Sequence, residues 1–264
     1  MTDQLPLSKR PASDEPGLKI YLLGPLRVLI DGEPLPQTDA ARRMRKVLQL
    51  LAYVALMGRK GVRREKLAED LWPHEPNRTR ILSSYVSTLR RVLEPHHQRG
   101  HSRYVVQKGE RLYLEGGASL WVDMWTFIEL AQKARRLAAR CDLASAAGYW
   151  ERAISLYDVE GLLPDGDFLP DVVEVMREDL RQQWLAGLRS LARYYADQSS
   201  EEERLRAIDF WQRLYAGEPQ DDEAYEWLAD HYLQTGQMRR LRSLEQMWAR
   251  MQITDYQEGR FPSA

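Results

Sequence analysis

Between Asn77 and Leu93 the segment NRTRILSSYVSTLRRVL sorts its side chains by chemistry. Leu82, Val86, Leu89 and Leu93 recur at i, i+4, i+7 and i+11, the spacing of a buried helical stripe. Arg80, Ser84, Ser87, Thr88 and Arg91 fall on the opposite face, and Arg78 and Arg90 add charge at either end. Hydroxyls donate and accept hydrogen bonds, and guanidinium groups donate in a planar fork. This is recognition chemistry rather than bond-breaking chemistry. A solvated helix usually mixes Glu with its Lys and Arg, yet no acidic residue occurs between Asn77 and Leu93. Such a face fits a polyanion, and its groups are those that contact DNA phosphates and base edges.

The elements that must hold this face follow from the flanking sequence. A shorter helix is expected from about Arg63 to Leu71, and Glu94-Pro95 stops the one after it. Tyr104–Gln107 and Arg111–Leu114 are expected to pair as a hairpin around Lys108-Gly109-Glu110. Two helices, a turn and a hairpin in that order are the parts of a winged helix-turn-helix. Upstream, LKIYLLGPLRVLI reads as two strands broken by Gly24-Pro25, with Asp31-Gly32 turning into a third near Glu33–Leu35. Asp39 can cap a helix running to about Met57, whose Val47, Leu48, Leu51, Val54 and Ala55 point inward.

From Asp123 onward strand signals give way to helices, expected at about 123–140, 143–158, 171–197, 201–216, 221–235 and 237–252. Their tryptophans, Trp150, Trp184, Trp211, Trp227 and Trp248, mostly sit at helical spacing and are expected in the core. A weak likeness between WLAGLRSLARYY and WLADHYLQTG suggests paired helices of tetratricopeptide type. The expected fold is mainly α: a winged helix-turn-helix with a small sheet, three helices and a hairpin wing, then an all-α tetratricopeptide-like domain. The expected segments are a leader at 1–17, the winged helix at 18–117, the helical domain at 118–255 and a tail at 256–264.

Charge divides along the same line. Residues 18–117 hold 19 Lys and Arg against 10 Asp and Glu, whereas residues 118–264 hold 17 against 26. The first block suits DNA and the second something else. The single cysteine, Cys141, rules out an intramolecular disulfide, reads as a small apolar filler in a helix and suits a reducing, cytoplasmic setting. No stretch approaches the roughly 18 apolar residues of a membrane span, and the leader lacks a signal-peptide core. His96, His97 and His101 stand at metal-like spacing, but no thiolate or carboxylate cluster joins them, so no metal is expected. DGDFLPD (165–171) matches a calcium loop at two positions only, and lacks the sixth-position Gly and the terminal Glu. No catalytic constellation or cofactor motif is visible, so an enzyme is not expected.

In this order of parts the chain resembles the SARP family of bacterial transcriptional activators. The resemblance rests on LGPLRVLIDGEPLP, RKVLQLLAYVAL, REKLAEDLW, SSYVSTLRRVLEP, WVDMWTFIELAQKA and YWERAISLYDVEGLLPD, within about residues 18–252. It implies that Ser84, Tyr85 and Thr88 lie where base edges are read, with covering of the core edge as the other role for Tyr85, while Arg80, Arg90 and Arg91 grip phosphates or one of them reads guanine. It places Trp72 near the DNA backbone, with core packing as the competing role. Arg42 and Arg43, and Arg63 and Arg64, open two helices and are candidate phosphate clamps there. Lys108 and Arg111 of the wing are candidates for the minor groove, although Glu110 beside them opposes this. The family further implies dimerisation through the helical domain, binding of double-stranded DNA at direct repeats near promoters, and recruitment of RNA polymerase. The wing QKGERLYL is more charged than the family's usual turn, and no nucleotide-binding loop or receiver segment is present in this sequence. Two rival readings stay open. One is a regulator whose tryptophan-lined helical half senses a small molecule, the other a protein-binding scaffold that has lost DNA affinity.

Overall fold

Alternation along Leu18–Tyr21 makes β1, with Leu18 and Ile20 fully buried. It pairs antiparallel with β2 (Arg27–Ile30), Leu18 opposite Ile30 and Tyr21 opposite Arg27. Asp31 and Gly32 then turn with φ of 49° and 87°, both positive as a type I′ hairpin requires, into β3 (Glu33–Pro34). These features belong to a computed structural model that describes residues 17–35, 41–95, 102–164, 166 and 172–257, leaving out the side chains of residues 41, 42, 172 and 252–257. The proposed cap Asp39, the three histidines His96, His97 and His101, and most of 165–171 lie outside the described residues. Among the described residues no cluster of His, Cys, Asp and Glu could hold a metal ion, and no helix is long and apolar enough to cross a membrane.

α1 (Ala41–Leu56) is more central than its pattern suggests. Residues 49–56 are buried on every side, because α2 (Arg64–Leu71), α3 (Arg78–Leu93) and the strand β6 (Arg111–Leu114) all pack on it. Tyr53 on α1 donates its hydroxyl to Asp70 on α2, and burial, followed by this bond, holds the phenol proton tightly. Before α2 the chain forms a two-residue strand, β4 (Val62–Arg63), which pairs with β6; β5 (Val105–Lys108) pairs with the other edge of β6.

A further strand, β7 (Leu120–Val122), lies parallel to β1 and completes a sheet of order β3-β2-β1-β7. Three residues carry no usable alternation, so this strand is set by the open edge of β1 rather than by its own sequence. Immediately after it, the buried Asp123 carboxylate accepts from the backbone N–H groups of Leu22, Leu23 and Met124 at 2.6–2.9 Å. Burial pushes its carboxyl up to about 6 against the pull of those donors. The chain divides into two compact units, Met1–Thr126 with Leu162–Glu174, and Phe127–Gly161 with Val175–Ala264. The first unit therefore runs past residue 117, because β7 completes its sheet and Leu163 returns to donate to the Leu22 carbonyl at 2.9 Å.

The helices that follow β7 are α4 (Asp123–Ala138), α5 (Leu143–Ile154), α6 (Val172–Ala196), α7 (Glu201–Gly217), α8 (Asp222–Gln234) and α9 (Met238–Gln257). Their starts are written in the sequence. Asp142 and Asp221 cap α5 and α8, and Ser200 with Glu203 forms a reciprocal capping box on α7. In the second unit Trp150, Trp184 and Trp211 are buried, with Tyr157 stacked on Trp184 and Tyr195 on Phe210. Trp227 and Trp248 differ: they are half-buried and stack on Trp211 and Tyr225. Cys141 also departs from expectation. It is exposed with φ of 60° beyond the end of α4, so it terminates that helix rather than filling a core.

Candidate nucleic-acid interface

α3 realises the expected division. Leu82, Val86, Leu89 and Leu93 are all buried, and the helix spans 16 residues, about 24 Å at 1.5 Å per residue. Diametrically opposite, Arg80, Ser84, Ser87 and Arg91 form an exposed row at the same i, i+4, i+7, i+11 spacing. The side chains of Arg78, half-buried in the first turn, and of the exposed Arg80 and Arg91 make no hydrogen bond or ion pair among the described residues. With no acid on the helix, nothing on α3 neutralises them.

Each flank of this row carries an arginine from another element. On one side Arg43 of α1 donates through Nη2 to Thr88 Oγ1 at 3.1 Å and Ser84 Oγ at 3.3 Å, with its guanidinium 5.6 Å from the Tyr85 ring centre. On the other, Arg64 at the start of α2 donates to Ser83 Oγ at 2.8 Å and to Gln107 Oε1 of β5 at 2.7 Å. Arg64 thereby links the exposed helix to the hairpin. Arg63 beside it is exposed, and its side chain has no polar partner among the described residues. Arg42 lies in α1, but its side chain falls outside those described.

Two expected contact residues bond to backbone carbonyls within the fold. Arg90 is half-buried and its Nε donates to the Val105 carbonyl at 2.9 Å, which fastens α3 to β5. Burial, and then the nearby Arg64, lower its proton affinity. Arg111 donates through Nη1 to the carbonyls of Lys60 and Gly61, both at 3.0 Å, and so holds the turn before β4. Lys108 at the hairpin tip is exposed but pairs with Glu115, which reduces its value to an anion. Trp72 is 8% exposed and packs on Tyr85 with ring centres 5.0 Å apart. Lys46 donates to the Leu71 carbonyl at 3.3 Å over that ring, satisfying the negative end of α2. Of Trp72's two expected roles, core packing is the one this geometry displays.

Ser83 and Gln107 are the partners that sequence reading missed. Ser83 had a signal, since 83, 84, 87 and 88 form a hydroxyl cluster along one helix side. Gln107 had none, because its nearness to Arg64 depends on how the hairpin docks.

Comparison with known proteins adds two findings. The family described as transcriptional regulatory protein, C terminal, matches residues 40–109, the segment that holds α1 to the hairpin tip. A solved structure of Mycobacterium tuberculosis EmbR in complex with a low affinity phosphopeptide is similar over 91% of this chain and 60% of that one, with TM-score 0.63 and 21% identity. At that identity the shared property is the fold, and this chain spans only 60% of the EmbR chain's length. No curated protein sequence matches the chain. Residues 40–109 thus match the family of C-terminal domains of transcriptional regulatory proteins, and the chain as a whole has an EmbR-like fold.

Proposed function

We propose that this chain is a sequence-specific DNA-binding transcriptional activator, acting as a homodimer on repeated promoter sites. α3 enters the major groove with Arg80, Ser84, Ser87 and Arg91 foremost. Arg63 and Arg64, at the start of α2, meet phosphates alongside. The carrying observation is the exposed α3 row, uncancelled by any acid and backed by a fully buried stripe. The helical unit supplies the dimer contact and a surface for RNA polymerase. Its excess of acidic residues, 26 against 17 Lys and Arg over residues 118–264, supports a role away from the DNA backbone. Selection of bound duplexes from a random pool, followed by sizing of the complex, tests this reading. A single enriched repeat bound by two protomers is expected, and failure to enrich any sequence refutes it.

A second reading, a helical unit that senses a small molecule, is favoured by one feature. A cleft of about 320 Å³ opens between Leu143, Ala146, Ala147, Trp150 and Tyr194. Trp150 lines this cleft whereas Trp184 and Trp211 do not, so a tryptophan-lined site there would rest on Trp150. Quenching of tryptophan emission by a ligand, lost in Trp150→Phe, would favour the sensor over the plain activator.

A further inference from the structure

We infer that Arg43, which lies on α1 and not on the helix that faces the groove, reads a guanine base, and that Ser84 and Thr88 position it. This rests on the DNA-binding reading above and assigns it a specificity-determining residue. Three contacts fix the guanidinium. Its Nη2 is shared between Thr88 Oγ1 and Ser84 Oγ, at 3.1 and 3.3 Å. Its Cζ lies 5.6 Å from the Tyr85 ring centre, and Tyr85 itself packs on the buried Trp72. An arginine held this way has lost much of its rotamer freedom before any ligand arrives.

The donor inventory says what it is held for. A guanidinium has five N–H donors, and the two on Nη2 face the hydroxyls. Those on Nη1 and Nε have no partner among the described residues, and Arg43 is exposed. Thr88 donates its own hydroxyl to the Ser84 carbonyl at 3.0 Å, so its lone pairs are turned to the arginine. That hydroxyl has no proton left to offer a base. Its function is to hold Arg43. No carboxylate among the described residues pairs with this guanidinium, which separates it from Lys108, cancelled by Glu115. Bonds to carbonyls likewise separate it from Arg90 and Arg111. What remains is a pre-oriented cation with its Nη1 and Nε donors open beside the α3 row, at the height of its middle turns. Guanine presents two acceptors, O6 and N7, and no donor on its major-groove edge, so it is the base that suits a group able only to donate. A phosphate clamp would need no such orientation toward α3.

The test uses the full chain and the duplex enriched from a random pool. Each position of that duplex is changed to the other three base pairs and binding is measured for wild type, Arg43→Ala, Arg43→Lys and Thr88→Val. Wild type should favour G·C at one position by about 10- to 100-fold. Arg43→Ala and Arg43→Lys should flatten the preference there and leave it elsewhere, and Thr88→Val should weaken it at that same position. Replacing that guanine with 7-deazaguanine, which lacks N7, should weaken wild type and leave Arg43→Ala unchanged. Arg43 is exposed, so its variants should unfold at the wild-type urea midpoint, which makes the comparison interpretable. Uniform loss across all duplexes with a shallower salt slope would make Arg43 a phosphate clamp and overturn the inference. No change in Arg43→Ala would overturn it too, and a shift at a different base pair in Thr88→Val would overturn the positioning step. Absence of any enriched duplex would instead sink the DNA-binding reading itself.

Discussion

The arginines around α3 carry equal charge in the sequence but unequal freedom in the fold, and salt dependence can tell them apart. Arg63, Arg64, Arg78, Arg80 and Arg91 keep charges that no carboxylate cancels among the described residues. If these meet about five phosphates, log affinity falls with log salt at a slope near −4.5, a loss of roughly 500-fold from about 50 to 200 mM. Arg91→Gln removes one such contact, so its slope should be shallower by about 0.9 on every duplex tested. Arg90→Gln should behave otherwise. Its Nε bond to the Val105 carbonyl joins α3 to the hairpin, and a hydrogen bond to a charged group contributes about 1.5–3 kcal/mol. Relief from the neighbouring Arg64 offsets part of that, so a stability loss of about 1–2 kcal/mol is expected with the slope nearly unchanged. Fluorescence anisotropy with a labelled duplex over the salt series gives the slopes, and urea unfolding gives the stabilities. Equal slope changes in Arg90→Gln and Arg91→Gln would show that burial does not separate their roles. A wild-type slope near zero would remove the polyanion argument altogether.

The remaining predictions concern the frame and the reading face. Asp123→Asn should set an NH₂ against backbone N–H donors of Leu22, Leu23 or Met124 and lower stability at pH 7 by about 1–3 kcal/mol, read from urea midpoints. In the wild type the folded carboxyl holds its proton to about 6 while the unfolded one releases it near 3.8. This contribution is therefore complete below about pH 4 and lost as pH rises through 6, a change of about 3 kcal/mol that Asp123→Asn should abolish. Gly61→Ala should destabilise by about 2 kcal/mol or more, since φ is 61° and a Cβ would come within 2.6 Å of the Tyr113 ring and 2.7 Å of the Leu112 carbonyl oxygen. Its check is the same urea midpoint, with Gly109→Ala, where nothing lies within 4 Å of a Cβ, as the comparison for φ strain alone. Ser87→Ala should change preference among duplexes at an unaltered salt slope, measured by competition between enriched and randomised sites.

Helical elements were legible because each carries its own signals. The α3 stripe, the caps at Asp142, Ser200 and Asp221, and the Asp31-Gly32 turn depend only on neighbours within a few residues. β4 and β7 were not legible, being two and three residues long and existing only because β6 and β1 present open edges. The return of Leu163 to Leu22 likewise has no local trace, so the discontinuous make-up of the first unit was not legible. The interface shows the division most sharply. Periodicity found the exposed row of α3, whose positions are fixed by the helix alone. It could not sort the surrounding cations, because Arg43, Arg64, Arg90 and Arg111 each bond to a residue at least 15 positions away. Composition gives such a surface its sign. Which arginine holds the hairpin and which is left to hold a ligand follows only from where the chain brings carbonyls and hydroxyls to meet them.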